Sequence, residues 1–284
     1  MANLKDLRRR IKSIKNTSQI TKAMQLVAAA KMKKAQDKAQ KGVPYLKQLH
    51  KVLANLNKRV DHKKNPLLAP SKGEKTGVLV ISTNKGLCGS INTNLFKLIS
   101  AYDKSKTVFY TVGRKGKIFV AKTGRQLGAD FESKENPSIE DANTISKFLI
   151  EQFLGDEISK IEIIFSHFIN TAVQKPEKQD LLPLSSLPGA TTEANVVEVE
   201  YEYEPNANDI LAGILPHYLS YTVYALLLEA KASEHSSRMV AMKNATDNAN
   251  DMIKVLRLQY NKARQALITN QILEIASAAA AMNK

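Results

Sequence analysis

The stretch TNKGLCGSIN, residues 83–92, holds the residues best arranged for chemistry. It follows an apolar run with strand character, carries two glycines and precedes a helical pattern. Backbone amides at such a strand-to-helix turn can cradle a phosphate. No Gly-Lys-Ser/Thr follows, so the ammonium and the magnesium-binding hydroxyl of a phosphate loop are lacking. A structural turn is the preferred reading over a nucleotide site. Cys88 lies in this loop with no histidine near it in sequence, which favours a buried, inert thiol over a nucleophile. As the single cysteine it excludes an internal disulfide and suits a reducing compartment. His50, His62, His167, His217 and His235 do not pair at metal-ligand spacing, so no metal site is expected. There is no recognisable activated serine or paired-carboxylate site, and no cofactor is implied.

The charge points to binding instead. Residues 1–64 hold eighteen Lys or Arg and three acids, which accounts for the whole net charge of +15. Such a surplus seeks an acidic partner, be it nucleic acid, lipid headgroups or a protein surface. No apolar run approaches the roughly 20 residues of a membrane span, and the basic N-terminus lacks the apolar block of a signal peptide.

Two long helical patterns carry these charges. In residues 238–282, Met239, Met242, Thr246, Ala249, Ile253, Leu256, Tyr260, Ala263 and Leu267 recur at alternating steps of 3 and 4, the seam of a coiled coil. A second seam runs through Leu4, Leu7, Ile11, Ile14, Ser18, Thr21, Gln25, Ala28, Met32, Ala35 and Ala39, turning small and polar in its middle. Gly42 and Pro44 predict a kink or a short break there, with the helix resuming to about residue 59. A helix of this length needs a partner along it. The simplest partner for each seam is the other, run antiparallel, with the last turns of the longer C-terminal helix projecting alone.

Between the helices the texture changes. The expected division is an N-terminal helix over 1–60, a linker over 61–75, an α/β domain over 76–205 and a C-terminal helix over 206–284. Strands are predicted at 77–83, 107–113, 129–132 and 160–169, and helices at 92–103, 114–122 and 138–154. Their alternation predicts an open, Rossmann-like, mainly parallel sheet. Residues 174–189 are predicted as a proline-rich loop. VVEVEYEYEP, residues 196–205, is predicted as an alternating strand, either with a solvated acidic face or as a partner-binding edge. A basic coiled-coil nucleic-acid-binding protein is the alternative to a protein-facing shaft. Against it, the seam continues through the basic region and aromatic interleaving is absent.

Four segments together, NTSQITKAMQLVAAAKMKKAQ, GLCGSINTNLF, SEHSSRMVAMKNATDNANDMI and LQYNKARQALIT, resemble the gamma subunit of F-type ATP synthase, over nearly the whole chain from residue 4 to residue 282. The resemblance implies an antiparallel coiled coil of the termini with an α/β domain at one end. It implies a non-catalytic rotor that threads a hexamer of alpha and beta subunits, meets the epsilon subunit and sits on the membrane c ring. By similarity, Arg9, Arg10, Lys22 and Met24, with Arg238, Arg257, Arg264, Gln265 and Thr269, are the candidates for contact with beta. Tyr201, Glu202, Tyr203 and Glu204 match the segment that touches the c ring and epsilon. Two positions depart from the family pattern: Gln271 stands where a glutamate is usual and Ala278 where a glycine is. The paired cysteines of chloroplast relatives are absent, and no organelle presequence is visible. The resemblance therefore implies a bacterial protein, peripheral on the cytoplasmic side of the membrane.

Overall fold

The computed structural model describes residues 4–57, 65–69, 71, 73–155, 157–184, 204 and 206–282. In chain order these form α1 (Leu4–Asn57), β1 (Lys75–Ile81), α2 (Ile91–Ser100), β2 (Thr107–Val112), α3 (Arg114–Lys122), β3 (Gln126–Phe131), α4 (Ile139–Leu154), β4 (Ile158–Phe168), β5 (Gln174–Leu182) and α5 (Ala207–Met282). The chain divides into two compact units, residues 1–28 with 239–284, and residues 29–238. The division falls inside both long helices.

The larger unit is built on a five-stranded sheet of order β3-β2-β1-β4-β5. The first four strands pair in parallel and β5 runs antiparallel to β4. β1 alternates between two cores. Leu79 and Ile81 face α4 and the long helices, together with Tyr110, Phe153, Ile163 and Leu219. Val78 and Val80 face the other way, onto Leu95, Ile99 and Val120 of α2 and α3. Burial on both faces explains why these strands are near-continuous apolar runs. α4 buries Ala142, Ile145, Leu149 and Phe153, the face expected from spacing. Ser138 caps it reciprocally with Asp141 (Oγ accepting from the Asp141 amide, 3.3 Å; Oδ2 accepting from the Ser138 amide, 3.0 Å).

Three expectations are corrected. α1 continues through Gly42 and Pro44 without a break. Proline costs about 3 kcal/mol inside a helix, and tertiary packing on its C-terminal side offsets this. Tyr45 packs against Tyr221 (ring centroids 4.6 Å apart, tilted by 46°) and bonds His217 (2.6 Å), and Leu53 and Leu56 are fully buried. Gly42 leaves room for the Tyr221 hydroxyl, which a Cβ would meet at 3.1 Å. Next, residues 174–182 are a strand, not a loop. β5 lies at the edge of the sheet, where proline is tolerated and a polar composition suits the solvated side. Last, α5 does carry an 18-residue window apolar enough, by length and composition, to cross a membrane. Leu211, Leu215, Leu219 and Val223 of that helix are buried in the core of the larger unit.

Tyr110 is fully buried, and burial pushes its hydroxyl up to about 12. Tyr102, bonded to the Glu162 carboxylate, is raised further by burial and by that carboxylate. A raised native value contributes stability that is complete below the unfolded value of about 10 and is lost as pH rises through the native one. Urea unfolding should therefore show stability falling from about pH 10 upward, and Tyr110→Phe should flatten that fall. A pH-independent midpoint between 9 and 11 would contradict the burial argument.

Candidate partner-binding surfaces

In the smaller unit the residue types dictate a thin helix pair. Arg8 Nη2 donates to the Tyr260 hydroxyl (2.8 Å), Ser18 Oγ to Asn250 Oδ1 (2.9 Å), and the hydroxyls of Thr21 and Thr246 bond at 2.7 Å. In each pair the residue numbers add to 267 or 268, which is an antiparallel register. Leu7, Ser18 and Ala28 are buried on one helix and Met242, Thr246, Ala249 and Ile253 on the other. Small seam residues bring the backbones close, and the hydroxyls find each other because a buried polar group without a partner costs about 1–3 kcal/mol.

The Thr21–Thr246 contact yields a sign test. Thr21→Val or Thr246→Val alone should lower the stability of the pair by about 0.5–1.5 kcal/mol, while both together should recover most of it. Thermal unfolding of the three variants checks this. A double variant weaker than either single one would show that the hydroxyls do more than satisfy each other.

The outer faces are a different matter. Arg9, Arg10, Lys22, Arg257, Arg264, Gln265 and Thr269 are exposed, and Met24 is half-buried at the edge of the seam. Arg9 pairs with Asp6 (3.1 Å), and Lys22 reaches Gln25 (3.5 Å), both at the surface and so of little energetic weight. Large apolar side chains stand among these cations: Ile20, Leu26 and Val27 on α1, and Met252, Val255 and Leu258 on α5, each more than half exposed. Beyond Arg264 the register calls for α1 residues before Leu4. Leu267, expected in the seam, is instead 48 % exposed, and Ile272, Leu273 and Ile275 are 58–70 % exposed. This unit is satisfied inside and unsatisfied outside, as a surface made for a protein partner is.

In the larger unit, Arg238 is not a free cation. It donates to Glu234 Oε1 (2.8 Å), and Glu234 also holds Lys231 (3.1 Å), all nearly buried. The segment SEHSSR binds α5 to the sheet. Ser233 donates to the Ser166 carbonyl (2.7 Å), Ser236 to the Thr171 carbonyl (2.8 Å) and Ser237 to the Cys88 carbonyl (2.6 Å). Sequence reasoning missed this role; three serines in six residues of an otherwise apolar helix were its only signal. Of the acidic segment, Tyr201, Glu202 and Tyr203 lie outside the described residues, and Glu204 is exposed.

The glycine loop is occupied by the protein itself. Ser237 holds the Cys88 carbonyl, and Asn92 binds Thr83 Oγ1 (2.7 Å). Burial raises the Cys88 thiol. At the start of α3, the amides of Arg114, Lys115 and Gly116 are taken by Asn84 Oδ1, the Thr83 carbonyl and Ser82 Oγ. In open α/β sheets ligands enter beyond the strand ends where the order reverses, here between β1 and β4. α5 fills that crevice with Leu227, Ala230 and Lys231, leaving about 20 Å3. One water needs roughly 10–15 Å3, so no nucleotide fits. Among the described residues there is no cluster of three His, Cys, Asp or Glu able to hold a metal.

The larger unit is thus an α/β sheet whose ligand crevice is filled by α5, and the smaller a helix pair that presents cations and large apolar side chains outward. The family model described as ATP synthase matches residues 3–282. An ATP synthase gamma chain of Opitutus terrae is 43 % identical, covering 98 % of both chains. One of Akkermansia muciniphila is 42 % identical, over 99 % of this chain and all of that one. A chain in the Tetrahymena thermophila mitochondrial ATP synthase central stalk and c-ring structure superposes with a TM-score of 0.61 at 26 % identity, over 80 % of this chain and 99 % of that one. A chain of the Euglena gracilis mitochondrial ATP synthase rotor gives 0.67 at 19 %, over 93 % and 98 %. The chain belongs to the ATP synthase gamma chain family. Its role is that of the rotor subunit, which performs no bond chemistry.

Proposed function

We propose that this chain turns as the central shaft of an F-type ATP synthase, carrying torque from a membrane c ring to a hexamer of alpha and beta subunits, with the epsilon subunit at its α/β end. The complex is membrane-bound and the chain peripheral to it; the cytoplasmic face of a bacterial membrane is the proposed location. The proposed contacts with beta are Arg9, Arg10, Lys22, Met24, Arg257, Arg264, Gln265 and Thr269, with Arg238 acting only if it leaves Glu234. Tyr201, Glu202, Tyr203 and Glu204 are the proposed contacts with the c ring and epsilon.

The observation that carries this reading is the exposed mixture of cations and large apolar side chains on a helix pair whose seam is already closed. A shaft can drive catalysis only by touching the conformations of its partner unequally. Moving an equilibrium from 1:99 to 99:1 needs about 5.5 kcal/mol of such difference. One exposed ion pair supplies about 0–1 kcal/mol, so the work must be spread over many contacts.

Arg264→Ala with Gln265→Ala, in a complex with cognate alpha and beta subunits, should therefore reduce coupled ATP turnover by about three- to tenfold, the loss of roughly 1 kcal/mol of differential contact, without abolishing it. The far-ultraviolet circular dichroism of the chain should be unchanged. Unaltered turnover would remove both residues from the torque contact.

A further inference from the structure

A second cavity, of about 100 Å3, lies in the larger unit between α1, α5 and the turn before α4. Lys31, Lys34 and Lys38 face it from α1, Lys231 and His235 from α5, and Glu135 from the turn. Its volume is several times the ~10–15 Å3 that one water needs. Nothing in the shaft reading uses it.

The charges lining it do not balance. Glu135 pairs with Lys31 (2.8 Å) and lies 3.2 Å from His235 Nε2. Glu234 is shared by Lys231 and Arg238. Burial would raise Glu135, but Lys31, His235 and Lys231 outweigh it and hold the carboxyl below its usual range, so it is ionised. Burial lowers His235, against the opposing pull of the Glu234 and Glu135 carboxylates. Lys34 and Lys38 have no hydrogen-bond or ion-pair partner among the described residues. Like charges three and four residues apart weaken a helix, and here they adjoin Lys231, a residue only 6 % exposed. An arrangement that is unfavourable when empty becomes favourable around a compact dianion, whose oxygens several ammonium groups can share.

We infer that this cavity binds a phosphate-class oxyanion, held by Lys34 and Lys38 with Lys231 behind them. Its size suits inorganic phosphate or the terminal phosphoryl group of a nucleotide whose base stays outside. This site is distinct from the glycine loop and does not depend on the shaft reading.

Isothermal titration of the full chain with inorganic phosphate, at constant ionic strength set by chloride, tests it. One saturable site per chain is expected, with affinity at least tenfold weaker in Lys34→Gln/Lys38→Gln. Because neither lysine has a partner and each repels its neighbours, that variant should unfold at the same temperature as the parent chain, or a slightly higher one, when phosphate is absent. Lys34→Arg/Lys38→Arg should retain binding. Replacing phosphate with ADP separates the sources: equal or tighter binding, with the same dependence on the two lysines, assigns the site to a nucleotide phosphoryl group, and phosphate binding alone assigns it to the free anion. Absence of saturable heat with both ligands, or binding indifferent to the glutamine pair, would overturn the inference.

Discussion

Glu234→Ala is expected to destabilise the larger unit by about 3–5 kcal/mol, the usual consequence of removing one partner from a buried ion pair. The carboxylate stands between Lys231 and Arg238, and its side chain is 8 % exposed. Its loss strands two cations against the sheet, where water cannot replace it. Urea unfolding followed by near-ultraviolet circular dichroism should show a lower midpoint with an unchanged slope. Adding Lys231→Met should recover part of the loss, because the more costly of the two stranded charges is then gone. If Glu234→Ala were neutral, the three side chains would have to be solvated, and the view that SEHSSR fastens α5 to the sheet would fall with them.

Gly113→Ala should be nearly as damaging, for a backbone reason. Gly113 has φ of +100°, and a Cβ there would lie 2.3 Å from the carbonyl oxygen of Ser82. The dihedral alone costs about 1–3 kcal/mol for a residue with a side chain. The overlap adds to this, since the atom met is backbone and Ser82 is itself tied to Val112 and Gly116. Gly124 supplies the control: its φ is +64° and a Cβ there meets nothing within 4 Å. Gly124→Ala should show the cost of a positive φ only, so the excess at Gly113 reports the steric overlap together with its more extreme backbone (ψ 142°). Equal losses would mean that the β1–α3 junction is looser than its hydrogen bonds imply.

These two sites show where reading the sequence reaches its limit. The seams were legible because burying one side of a long helix forces the steps of 3 and 4 that Leu7, Ala28, Met242 and Ile253 obey. Ala142, Ile145, Leu149 and Phe153 were legible for the same reason, and the parallel strands because burial on both faces makes them apolar throughout. β5 was not, because a solvated edge strand with Pro176 has the composition of a loop. Pro44 misled because packing of Tyr45 and Leu53 on α5 outweighs a local helix breaker, and no local pattern contains that packing. Leu267 keeps the seam spacing but has outrun its partner helix.

The candidate surface divides in the same way. Eighteen cations in the first 64 residues announced an acidic partner, and the structure leaves Arg9, Arg10 and Lys22 on the outside. What spacing could not convey was which cations are already engaged. Glu234 and Arg238 stand at i and i+4, an arrangement common on solvated helices, yet here they are an internal pair. The unbalanced Lys34 and Lys38 were equally invisible, since their isolation depends on Glu135 arriving from another element to hold Lys31.

The central claim is that this chain rotates inside its partners without doing chemistry, and rotation can be observed directly. The chain would be assembled with cognate alpha and beta subunits, the hexamer fixed to a surface, and a bead attached through Lys104→Cys. Lys104 is exposed and the native Cys88 is buried, so the label goes where intended. One copy per hexamer and ATP-dependent rotation of the bead in a single direction are expected. A stationary bead on a complex that still hydrolyses ATP at full rate would contradict the claim.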